Sequence, residues 1–152
     1  MEVFRIAFIG HREMRSMSHV ERELEKILSK ILLDKEFVEC YIGRNGDFDI
    51  IAASVIKRVQ REYGCRNCEL ILVLPYSVKD EKDYEKYYDD ICYPLPYNTH
   101  FKEAITKRNQ WMIDNANLLI AFVEERTGGA YKTLQYAQKK KIEIINLANN
   151  LS

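Results

Sequence analysis

Apolar positions along the chain follow two periods. Five stretches of strand length alternate or run unbroken: VFRIAFI (3–9), FVECYI (37–42), ELILVL (69–74), LLIAFV (118–123) and IEIINL (142–147). Between them the spacing becomes helical. Ser18 and Glu21 form a capping box for a helix whose Val20, Leu24, Ile27, Leu28 and Ile31 share one face. Phe48, Ile51, Ala52, Val55, Ile56 and Val59 repeat that face after the second strand, and further helices are expected over about 99–116 and 129–141. Strands alternating with helices predict a parallel sheet covered on both sides. The expected fold is therefore α/β: a single Rossmann-like three-layer domain over residues 1–152, with a mainly parallel five-stranded sheet.

One segment breaks the alternation. PYSVKDEKDYEKYYDDICYPLPYNTH, after the third strand, holds six of the ten tyrosines and all three prolines. It reads as an insertion at about 76–99, too aromatic to be a disordered linker. Two roles stay open for it. It forms a short helix around 81–88 whose tyrosines pack on the domain or on a second subunit, or it forms a flap whose rings stack on a ligand base.

Composition narrows the function classes. The 23 lysines and arginines balance 23 aspartates and glutamates, so the net charge is zero. That opposes a protein that grips nucleic acid through its overall field. The run Lys139–Lys140–Lys141 fits the last turn of a helix, where cations complement the carbonyl end, with a local DNA patch as the alternative. No stretch has the length of a membrane span and the N-terminus enters a strand pattern without a signal peptide, so a cytoplasmic protein without membrane contact is expected. Cys65 and Cys68 make a lone C-x-x-C, Cys40 and Cys92 supply no matching pair, and His11, His19 and His100 lack finger-like spacing. Reduced thiols in a helix-to-strand connection are preferred over zinc or a redox pair, and neither a metal nor another cofactor is expected.

In an open parallel sheet, ligands bind beyond the carboxyl ends of the strands. The loops expected there are GHR (Gly10, His11, Arg12), GRNGDFD (Gly43 to Asp49), PYS and EERTGG. Gly10 permits a tight turn and Arg12 suits a phosphate, whereas His11 is read as a structural hydrogen-bonder before an acid or base. Gly43, Arg44, Asn45 and Gly46 offer backbone that can approach a ligand closely; Asp47 is the expected helix cap and Asp49 a ribose or base contact. On the third long helix Phe101, Ala104, Ile105 and Met112 form an apolar stripe with Arg108 in its middle, next to Asn109. A buried guanidinium requires a partner, either an internal carboxylate or an anionic ligand.

TGGAYKT resembles a phosphate-binding loop but fails its spacing, because Tyr131 and not glycine precedes Lys132. What remains is a turn at Gly128 and Gly129 leading through Ala130 to Lys132 and Thr133. It is either an anion-binding helix start or a plain flexible turn.

IAFIGHR, YIGRNGDFD, RNQWMIDNANLLIAFV and TGGAYKTLQYA, in that order, resemble the SLOG superfamily of Rossmann-like (SMF/DprA–LOG-like) domains, above all its small YoqJ- and YpsA-like bacterial and phage members. That superfamily includes LOG-type phosphoribohydrolases, the DNA-processing protein DprA and nucleotide-sensing modules of phage defence. The resemblance implies a nucleotide or nucleotide-derived ligand whose phosphate rests on the loop after the fourth strand. LOG enzymes cleave an N-glycosidic bond with an arginine on the preceding helix and a glutamate in P-G-G-x-G-T-x-x-E. Arg108, Gly128 and Gly129 match that pattern; Tyr131, Lys132 and Gln135 depart from it. Glutamine cannot serve as a general base or carry the negative charge that an oxocarbenium-like centre calls for. Asp47, Asp49, Glu124 and Glu125 are the carboxylates left to replace the glutamate, so Arg108, Asp49 and Glu124 form the catalytic set if the chain is an enzyme. Capture of a nucleotide, by a sensor or sequestering module, is the expected function. Cleavage of its N-glycosidic bond is the alternative, and DprA-like DNA binding the less favoured third. A homodimer is expected from the tyrosine-rich segment.

Overall fold

The two periods of the sequence become alternating strands and helices. The computed structural model describes residues 1–15, 17–44, 46–64 and 66–150; Asn45 and Cys65, both singled out above, lie outside the described residues. In chain order the elements are β1 (Val3–Gly10), α1 (Ser18–Asp34), β2 (Phe37–Ile42), α2 (Asp47–Glu62), β3 (Cys68–Val73), α3 (Glu81–Tyr87), β4 (Asp90–Cys92), α4 (Phe101–Asp114), β5 (Leu118–Phe122), α5 (Gly129–Lys140) and β6 (Glu143–Asn146). All strand pairs are parallel, in the order β4-β3-β2-β1-β5-β6. The chain thus moves outward from β1 to β4, then returns through α4 to place β5 on the other side of β1.

Each face of the sheet has its own core. Ile6, Phe8, Val38, Cys40, Ile42 and Leu70 meet the buried stripes of α1 and α2 on one side. Ala7, Ile9, Tyr41, Ile71 and Val73 meet Met112 and Ile113 of α4 and Leu134 and Ala137 of α5 on the other. Alternate residues of β1 therefore serve opposite layers, as the pleat requires. Among the described residues no helix is long and apolar enough to cross a membrane.

Three expectations require correction. The sheet has six strands, not five, and it is parallel throughout. The extra strand, β4, sits inside the tyrosine-rich insertion and pairs Ile71 with Asp90, Leu72 with Ile91 and Val73 with Cys92. Three residues are too few to show a period of two; their place is fixed by backbone pairing and by Asp89, whose carboxylate accepts from Leu70 N at 2.7 Å and Gln60 Nε2 at 2.9 Å. Ser18 is not a cap: Met17 already has helical angles and its carbonyl takes the amide of Glu21 at 2.9 Å, leaving the Ser18 side chain no capping hydrogen bond. Asp47 is the first helical residue and not the cap, which is Gly46; its carboxylate turns aside to accept from Met14 N at 3.0 Å.

Cys40 and Cys68 lie buried with their sulfurs 4.0 Å apart, and each is a free thiol. Lys139 and Lys140 do occupy the last turn of α5.

No residue of the short α3 is buried; its tyrosines lie at the surface, with Arg44 over the Tyr84 ring and Lys57 over that of Tyr87. Tyr88, at its end, packs half-buried against the α1–α2 core, and burial pushes its phenol up to about 12, with Tyr87, Asp49 and Tyr84 adding to the effect. An unfolded phenol ionises near 10. Below that pH both states hold the proton; between about 10 and 12 only the unfolded chain releases it, so stability falls as pH rises through this window. Urea unfolding at pH 9 and pH 11 should show a smaller loss in Tyr88→Phe than in the parent. Equal losses would place the Tyr88 ring in water.

Candidate functional site

The strand order reverses between β1 and β5, which is where an open parallel sheet leaves a crevice at its carboxyl edge. A cleft of about 490 Å³ lies there, within the usual size of a small-molecule site. Gly10 to Glu13 line it from the end of β1, Gly43, Gly46 and Asp49 from the turn into α2, and Glu125 and Thr127 to Ala130 from the loop after β5. Ile105, Arg108, Asn109 and Met112 of α4 close its floor together with Phe8 and Ile9.

Arg108 is the pivotal side chain. It is only 3% exposed, in the row Ala104–Arg108–Met112 that α4 buries. Its Nε donates to Asn109 Oδ1 at 2.8 Å and its Nη1 to the carbonyl of Val73 at 2.7 Å. Burial lowers its pKa and the charge of Asp49 raises it, but an arginine stays protonated through any such shift. Gly43 is what lets these charges draw together: a Cβ there would stand 3.1 Å from Asp49 Oδ2 and 3.2 Å from Arg108 Nη1. Asn109 carries the network onward through Nδ2 to Thr133 Oγ1 at 3.3 Å, and Thr133 in turn donates to the carbonyl of Gly129 at 2.9 Å. The guanidinium is thereby linked to the first turn of α5.

His11 locks the opposite wall. Its Nε2 accepts from the amides of Glu124 at 3.0 Å and Glu125 at 3.2 Å. The ring is accordingly the neutral tautomer with its proton on Nδ1, and it clips the loop after β5 to the end of β1. Beyond that clip, Gly128 has φ +93°, a value that excludes most other residues, and α5 begins. The first amides of a helix have no intrahelical acceptor, and at Gly128 and Gly129 nothing stands within 4 Å of where a Cβ would be.

Several residues singled out in the sequence lie elsewhere. Arg44 is outside the cleft lining; its Nη1 donates to Tyr84 Oη at 3.1 Å and its guanidinium lies over the Tyr84 ring. Asp47 is committed to Met14 N, Thr133 to the α5 backbone, and Lys132 is exposed beyond the lining. Glu124 faces a separate, shallow depression bordered also by Arg126 and Asn146, whereas Glu125 borders both. Gln135 is exposed and hydrogen-bonds Tyr131 Oη at 3.2 Å, away from the cleft. Phe101, placed in the apolar stripe by spacing, is 70% exposed at the helix start. Glu13, Ile105, Met112, Glu125 and Thr127 join the site without having been assigned to its ligand set. The adjacency of Glu13 to Arg12, and of Glu125 to the glycine turn, was the available signal.

No family model matches the chain, and no curated protein does. Its fold is nevertheless shared by solved structures. DNA processing protein A from Helicobacter pylori, described for its single-stranded DNA binding mode, superposes with a TM-score of 0.63 at 16% identity, over 93% of this chain and 63% of its own. The corresponding protein (DprA) from Streptococcus pneumoniae gives 0.53 at 11% identity, over 97% and 60%. The molybdenum cofactor carrier protein from Chlamydomonas reinhardtii gives 0.55 at 14% identity, over 94% and 75%. The class is thus a DprA-like Rossmann fold. This chain spans about three fifths of the two DNA processing proteins, and at these identities the likeness concerns fold alone.

Proposed function

We propose that the cleft holds a nucleoside monophosphate or a related nucleotide-derived ligand, such as an ADP-ribose-like signal, for sensing or sequestration. The observation that carries this reading is a guanidinium buried to 3% exposure in the wall of an open cleft, with the glycine-led start of α5 across from it. Both favour an anion, one by charge and the other by amides and helix dipole. The cleft is otherwise mixed in sign: Arg12 and Arg108 stand among Glu13, Asp49 and Glu125. Such a site suits one phosphate, with carboxylates accepting from ribose hydroxyls, better than a long polyanion, which calls for a basic groove. DNA binding of the kind described for the H. pylori protein is disfavoured here on that ground.

Cleavage of the N-glycosidic bond is the second reading, favoured by the Asp49 carboxylate set beside Arg108 across Gly43. The two readings separate in one experiment. Titration calorimetry against nucleoside 5′-monophosphates, ADP-ribose and NAD should find a stoichiometric ligand, and chromatography of the recovered ligand should show it intact. Free base in the recovered fraction would turn the assignment to hydrolysis. Absence of binding across the panel, with salt-sensitive binding of a single-stranded oligonucleotide, would turn it to DNA.

A further inference from the structure

Two aromatic rings stand together on the outer surface where β3 ends and α4 begins. Tyr76 and Phe101 have ring centroids 5.4 Å apart with planes inclined at 41°, and they are 36% and 70% exposed. Rings left in water forgo the burial that a core would give them, so this pair has ring surface to offer an apolar partner.

Its position ties it to the cleft. Tyr76 follows by three residues Val73, whose carbonyl holds Arg108. Phe101 opens α4 one turn before Ile105, which lines the cleft, and two turns before Arg108 on the same side of the helix. Seven residues of helix span about 10 Å, the scale of a single nucleotide. A phosphate near Arg108 would therefore carry its base towards these rings. The geometry points to Tyr76 and Phe101 as a base-stacking subsite, which selects among phosphate-bearing ligands those with a purine or pyrimidine attached. This inference rests on the cleft being an anion site. Stacking uses the π-face that every base possesses, so the subsite discriminates nucleotide from sugar phosphate strongly and one base from another weakly.

Calorimetry on the full chain with AMP and with ribose 5-phosphate tests it. The parent should bind AMP more tightly than ribose 5-phosphate. Phe101→Ala and Tyr76→Ala should each lose about tenfold in AMP affinity and leave ribose 5-phosphate affinity unchanged. Phe101→Leu, which keeps apolar area without a ring, should behave like Phe101→Ala. Quenching of a fluorescent ethenoadenosine monophosphate by the parent, relieved in Phe101→Leu, gives a second readout. If the parent binds both ligands and the variants bind AMP as tightly as it does, the subsite is overturned while the anion cleft stands. If the parent binds neither ligand, both fall. If Phe101→Ala instead converts a dimer to a monomer in sedimentation with AMP affinity intact, the rings belong to a contact between copies of the chain and the subsite is overturned.

Discussion

Arg108→Ala is expected to weaken binding of a nucleoside 5′-monophosphate by about tenfold to a hundredfold, the worth of one or two charge-assisted hydrogen bonds. The size of this loss follows from how the side chain is held. Nε and Nη1 are tied to Asn109 and to the Val73 carbonyl, so the guanidinium cannot swing out to solvent and needs no reordering when an anion arrives. Its burial makes any charge it meets more strongly felt. Alanine also strands the Val73 carbonyl, so the fold itself should lose about 1–3 kcal/mol. Arg108→Lys separates the two effects. It keeps a charge on a shorter, rounder group that cannot serve Asn109, Val73 and a phosphate together, so affinity should fall while stability falls less than in Arg108→Ala. Calorimetry with each variant, alongside urea unfolding, provides both quantities. Parent-like affinity in Arg108→Ala would make the arginine a structural residue that happens to border a cleft.

How far the sequence foretold this arrangement depends on which physical signal each part leaves. Long helices and the strands buried on both faces leave apolar periodicity, and there expectation and structure agree to within a residue or two. β4 leaves none: Asp90, Ile91 and Cys92 are too short a run, and what recruits them is an unpaired backbone edge on β3. Arg108 betrayed its burial by standing in an apolar stripe, but Val73, 35 residues away, carries no mark of being its acceptor. The same holds for Asp47, whose type and place suggest a cap, while a distant amide at Met14 has the stronger claim. Glu124 and Glu125 show the limit at its finest. Just beyond a strand, one residue of phase decides which of two adjacent carboxylates meets the cleft, and no local pattern fixes that phase.

Two glycine substitutions should fail in opposite ways, and together they test what the cleft is built for. Gly46 presses against backbone: a Cβ there would collide with Arg12 Cα, and no rotamer relieves a contact with main chain. The neighbouring bonds explain the closeness, since Asp47 N donates to the Arg12 carbonyl at 2.8 Å and Met14 N to Asp47 Oδ2 at 3.0 Å. Gly46→Ala must prise the loops after β1 and β2 apart, at a cost of about 1–3 kcal/mol in urea unfolding. Unchanged stability would mean that the two loops are not clamped together in solution. Gly129, by contrast, has open space around it and begins a helix, where alanine is the better helix former. Gly129→Ala should therefore leave stability unchanged or slightly raised. Its new methyl nevertheless projects from the helix start that lines the cleft, where a phosphate bound as proposed would reach the first amides. Affinity for a nucleoside 5′-monophosphate should fall about tenfold, roughly the loss of one good hydrogen bond to a charged group. A stable Gly129→Ala protein that binds as the parent does would remove the phosphate from this loop and leave the two arginines of the cleft lining, Arg12 and Arg108, to hold the anion.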